Sequence, residues 1–219
     1  MIELPDTDPL VSYLTTELAD YAPLEEALIE NIAFAVRYFL TNEQTPEPYP
    51  SELLAILSAR ALNALGYRSN AMEFLHAQIP DPKKQALFRP FILSERFDRR
   101  IWNLIQADVL SHYDGMMKDQ RRASWVLDLS RVPRGHDVLD LTIYLSLRKL
   151  LEIFGPVWEA ESGDFCLHFR GLPRQNGPDE PSATQLMDYM RNLMQDMAVR
   201  AGWMQHPELL SLDLSIHLS

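Results

Sequence analysis

The chain has 219 residues, of which 47% are hydrophobic and 23% charged, enough to bury a sizeable core and ordinary for a globular protein. A net charge of −11 and a pI near 4.9 oppose general attraction to nucleic acid. The single cysteine, Cys166, excludes an internal disulfide framework and a multi-cysteine zinc site within one chain.

The N-terminus, MIELPDTDPL, lacks the basic start and apolar run of a secretory signal, which predicts a cytoplasmic protein. The most apolar stretch, Asn31 to Leu40, contains Arg37 and is too short to span a bilayer, so no membrane association is expected. Charge is uneven: residues 1–50 hold ten acids against Arg37 alone, residues 51–123 carry a net +3, and residues 124–219 a net −5. Arg89, Arg96, Arg99 and Arg100 are interleaved with Glu95, Asp98, Asp108 and Asp114, which reads as a solvated surface rather than a phosphate-binding one.

In chain order, the first half reads as helices. Asp8 or Pro9 opens an amphipathic segment to Tyr21. A second helix starts at Pro23, with Glu25 and Glu26 in its acidic first turn, and runs to about Thr41. Pro46, Pro48 and Pro50 favour an extended link. Ser51 caps a third helix through Leu53, Leu54, Leu57, Ala61, Leu62 and Leu65, Gly66 ends it, and a fourth runs from Ser69 to about Ile79. The stretch Leu57 to Leu75 resembles the middle of a tetratricopeptide hairpin, but no second copy follows at the 34-residue period such arrays use, so it reads as an ordinary αα-hairpin. Asp81-Pro82 opens further helix, Pro90 interrupts or restarts it, and the pattern continues through Trp102, Ile105 and Leu110 to end near Gln120.

The second half reads as strand, helix, strand, strand, helix, strand. Trp125 to Val132 alternates, with Trp125, Leu127 and Leu129 on one side and Val126, Asp128 and Ser130 on the other. Asp137 caps a helix through Leu141, Leu145, Leu150 and Phe154, which Gly155-Pro156 is expected to terminate. Val157–Glu161 and Asp164–Arg170 then form a hairpin about Ser162-Gly163. Ser182 and Gln185 match a capping box, and a last strand alternates from Leu210 to Ser219. This order predicts an α+β protein: a helical region of αα-hairpins over residues 1–120, then a ferredoxin-like βαββαβ sandwich with a four-stranded antiparallel sheet over residues 121–219. In outline the second part resembles the small-molecule-binding ACT domains, on Gly135 and the Phe154-Gly155 helix end. The resemblance implies a ligand near the glycine-bearing loop.

With the strand order 4-1-3-2 of that fold, the polar sheet face gathers Asp128, His168, Arg170, Asp213 and His217. Histidines and carboxylates on neighbouring strands are suitable ligands for zinc, manganese or iron, although no HExxH-type motif fixes a geometry and no cofactor is assigned. Cys166 and His168, two apart on one strand, have α-carbons about 6.5–7 Å apart and parallel side chains, which does not make a nucleophile-base pair. A second candidate is an anion loop, Arg131, Arg134, Gly135 and His136, where arginines sit beside the free amides of a helix start. The leading expectation is a non-catalytic interaction or regulatory module with a protein partner or a second copy. The rival is a metal-dependent hydrolase or small-molecule-binding domain using the polar face.

Overall fold

A computed structural model of the chain describes residues 8–20, 25–43, 45, 47–113, 123–131, 139–162, 165–171, 183–203 and 208–211. The chain divides into two units, Met1–Leu93 and Ser94–Ser219. Among the described residues no helix is long and apolar enough to cross a membrane.

The first unit is helical. Asp8 Oδ1 accepts the Leu10 amide at 2.9 Å and Pro9 takes the first helical position, so α1 (Pro9–Ala19) begins at an acidic cap followed by proline. Helix α2 (Glu26–Asn42) buries Ile29, Ile32, Ala33, Val36 and Leu40, a stripe at helical spacing. Helix α3 (Ser51–Ala64) buries every residue from Leu53 to Ala59, the pattern of a helix enclosed on all sides. Three helices pack on it: α2, α4 (Arg68–Gln78) and α5 (Pro82–Leu93). Fully buried Ala59 and Ala71 let α3 and α4 approach, and Gly66, at φ +89°, turns the chain between them. Helix α5 runs through Pro90 without breaking. Two carbonyls of its last turn are satisfied from α3: Arg60 Nη1 donates to Phe91 O, and Asn63 Nδ2 donates to Ile92 O at 3.1 Å. Burial lowers the pKa of the Arg60 guanidinium below its ordinary value.

In the second unit, Asp98 caps α6 (Arg99–Gln106) through the Arg100 amide. The helix ends at Gln106, so the helical pattern expected through Leu110 gives way to a strand there, and the remainder of that expectation, residues 114–120, lies outside the described residues. Asp108, at φ 53°, turns the chain into β1 (Leu110–His112). After β2 (Ala123–Asp128) come a 3-10 turn (Leu129–Arg131), α7 (Leu139–Ser162), β3 (Phe165–Arg170), α8 (Ala183–Ala201) and β4 (Glu208–Ser211). The strands lie in the order β1-β2-β3-β4; β1 is antiparallel to β2, whereas β2-β3 and β3-β4 are parallel.

This overturns the ferredoxin-like antiparallel sandwich, and with it the outline resemblance to ACT domains. The cause lies in one helix. Gly155-Pro156 does not stop α7, which continues to Ser162 and takes up Val157–Glu161 as helix. Without a strand there, β3 returns by a helical crossover and lies parallel to β2. Both crossovers step the same way across the sheet, and right-handed connections then put α7 and α8 on one face. The sheet residues of that face meet aromatic rings. Trp125 lies 5.9 Å from Phe154 and 5.1 Å from Trp158, Trp158 lies 4.7 Å from Phe165, and Phe165 lies 5.3 Å from Trp203.

Two predictions follow from these contacts. A methyl group added at Gly155 would sit 2.3 Å from Trp203 Cζ2. In an exposed helix Gly→Ala stabilises by about 1 kcal/mol; here Gly155→Ala is expected to lower stability by about 1–3 kcal/mol through overpacking. Denaturant titration of Gly155→Ala with and without Trp203→Ala checks this, because the sign reverses once the indole is removed. In the first unit, Arg37 Nε bonds Asp8 Oδ2 at 2.8 Å. That bond holds the Asp8 carboxyl below its usual value, so the pair stabilises the fold above the usual carboxylate range and loses its effect as pH falls through the depressed value. Asp8→Asn should therefore melt below the wild type at neutral pH, with the gap closing in acid.

Candidate functional site

The sheet face opposite α7 and α8 is where the sequence-predicted polar residues fall. Side chains alternate along a strand, so Ser124, Val126 and Asp128 share this face of β2, and Cys166, His168 and Arg170 share it on β3. The register pairs them rung by rung: Ser124 with Cys166, Val126 with His168, Asp128 with Arg170. The rungs run from closed to open. Cys166 is fully buried, His168 and Ser124 are buried, Asp128 retains 7% of its surface, and Arg170 is exposed. Tyr113, just beyond β1, stacks on His168 with ring centroids 4.0 Å apart and planes 19° apart. The middle of the face is therefore packed, and its exposed charge collects at the ends of β2 and β3.

At that edge Asp128 organises the chain. Its Oδ1 accepts from the Ser130 amide at 3.0 Å and from Ser130 Oγ at 2.6 Å, which bends the backbone into the 3-10 turn. Its Oδ2 lies 3.6 Å from Arg131 Nε, and Arg131 Nη1 reaches Asp108 Oδ2 at 2.8 Å. A nearly buried carboxylate thus has hydrogen bonds and an opposite charge, the condition under which burial of a charge is tolerable. Gly171 follows β3 at φ +68°, and a Cβ there would come within 2.4 Å of the Ser130 amide nitrogen. The two strand ends are consequently in close contact. Arg170 has no hydrogen-bond or ion-pair partner among the described residues.

The geometry joins parts of two separate expectations. Arg131, from the anion loop, pairs with Asp128, from the polar face, and Arg170 lies on the same rung as Asp128 on the neighbouring strand. Asp213, His217, Arg134, Gly135 and His136 lie outside the described residues. The described part of β4 pairs Leu210 with His168. Sequence reasoning placed Ser130 beside Asp128 on the polar side of the strand, but missed Tyr113, Asp108 and Gly171 as parts of the site. Of these, only Gly171, placed directly after a strand, carried a local signal. Among the described residues no group of three or more His, Cys, Asp or Glu is placed to hold a metal ion. Comparisons of the chain with family models, with curated proteins and with solved structures find no match.

Gly171→Ala is expected to destabilise the second unit by about 1–3 kcal/mol, because it combines a positive φ with a backbone clash. Ser130→Ala should cost about 1 kcal/mol, as it removes one hydrogen bond and no backbone space. Thermal melts of both variants, with Gly171→Ala the less stable, check the close contact of the strand ends.

Proposed function

We propose that the protein is a non-catalytic regulatory module of the cytoplasm that binds a small anionic ligand at the carboxyl ends of its parallel strands. One observation carries the reading: Arg131 and Arg170 leave neighbouring strand ends on either side of a nearly buried Asp128. Planar guanidinium groups suit bidentate recognition of carboxylate or phosphate. Loops that follow strands on a rigid sheet are the usual carriers of such sites. Asp128 and Asp108 hold Arg131 in place, which lowers the ordering cost of binding. Arg170 supplies the cation with no described protein partner.

Binding is favoured over chemistry by how the reactive groups are employed. The Asp128 carboxylate is taken up by Ser130 and Arg131, and the Cys166 thiol is fully buried, so neither is presented as a base or a nucleophile.

Thermal melts against inorganic phosphate, succinate and nucleoside monophosphates test the proposal. A ligand present at one hundred times its Kd stabilises by about 2.7 kcal/mol, read as a rise of roughly 5–10 °C in a unit of this size. The rise should disappear in Arg170→Ala, whose own melting point stays near that of the wild type because the side chain is exposed. Failure of every member of the panel to shift the melt, or an undiminished shift in Arg170→Ala, would overturn the proposal.

A further inference from the structure

The outer face of α2 carries an aromatic pair that the first unit's own packing does not use. Glu30, Phe34, Tyr38 and Asn42 recur every four residues and are all exposed, so they form one column along the helix. Phe34 keeps 56% of its surface and Tyr38 70%, while the opposite stripe from Ile29 to Leu40 already supplies the burial that holds α2 in place. Single exposed aromatics are common. Two on successive turns, beginning beside Glu30, make an anchor of the kind found at the centre of protein interfaces.

The charge around the pair identifies its occupant. Among the described residues, α2 and its two ends carry four exposed acids, Glu25, Glu26, Glu30 and Glu43, against one base. That base, Arg37, is already engaged: Nε bonds Asp8 Oδ2 at 2.8 Å, and Nη1 bonds Thr41 Oγ1 and Tyr49 Oη, each at 3.1 Å. Nucleic acid and anionic membrane are repelled by such a surface, and a basic segment is attracted to it. Aromatic faces also accept guanidinium and ammonium groups directly.

We infer that the Phe34–Tyr38 face of α2 docks a partner protein through a Lys/Arg-rich segment bearing an apolar anchor, laid along the helix as an amphipathic helix. The apolar anchor packs between the two rings, and the cations meet Glu30 and the acidic residues around α1 and α2. This surface is independent of the strand-end ligand site, and either can fail without the other.

The test is selection of a displayed library of random 16-residue peptides against the full-length protein, followed by anisotropy titration of the recovered peptides. Peptides of net positive charge with an apolar anchor are expected, binding at least about tenfold more weakly to Phe34→Ser/Tyr38→Ser and more weakly in high salt. The double variant should keep the wild-type melting point, since both side chains are exposed. Recovered peptides that are neutral or acidic, or that bind the double variant equally well, would overturn the inference. So would sedimentation showing a wild-type dimer that the double variant dissolves, because the face would then be occupied by a second copy.

Discussion

The second unit depends on α7 continuing across Gly155-Pro156. A proline inside a helix removes one backbone donor and collides with the preceding turn, at a cost of about 3 kcal/mol or more. Phe154 and Trp158 stand on either side of that point, one turn apart, and both pack on Trp125. They also pack on each other at 5.6 Å, and Trp158 packs on Phe165 at 4.7 Å. Four such ring pairs, at about 0.5–1.5 kcal/mol each, come to about 2–6 kcal/mol, and together with burial of the rings, at about 1.5–3 kcal/mol for a large apolar side chain, they outweigh the local penalty. Tertiary packing therefore overrides a strong local stop signal.

The consequences reach the strand ends. Because Val157–Glu161 is helix, β3 arrives by crossover and runs beside β2 in the same direction, so Asp128 and Arg170 finish at the same edge of the sheet. Asp128 then fixes the turn that follows β2, the turn positions Arg131, and Gly171 lets β3 close against Ser130. Gly155 has a second use within the same cluster. Its lack of a Cβ lets Trp203, which follows α8, lie against α7 and reach Phe165. A residue that reads as a helix stop acts instead as a contact surface.

Much of this was legible in the residues, but unevenly. The helix start at Asp8-Pro9 follows from capping chemistry that acts within a few residues, whereas the start at Asp98, inside a continuous helical pattern, was not read. The alternation of Trp125 and Leu127 against Val126 and Asp128 correctly separates the two faces of β2, because period two is a local property. Asp128, His168 and Arg170 share a face because the expected arrangement also set these two strands side by side. What the sequence hid was decided at long range. β1 has three residues, too few for a period, and lies at the end of an apparently helical stretch. Val157–Glu161 alternates like a strand and follows Gly-Pro, and only its aromatic partners on β2 and β3 mark it as helix. Tyr113 and Asp108 join the site through the turn into β1, so missing that strand also hid them.

Backbone chemical shifts over Val157–Glu161, measured by NMR together with contacts across β2 and β3, test the continuity of α7 most directly. Helical shifts through Pro156 to Glu161, with contacts linking Trp125 to Leu167 and Val126 to His168, are the expected result. Extended shifts over the same residues, with a cross-strand contact between Trp158 and Leu167, would show a hairpin and contradict the parallel sheet and the strand-end site built on it.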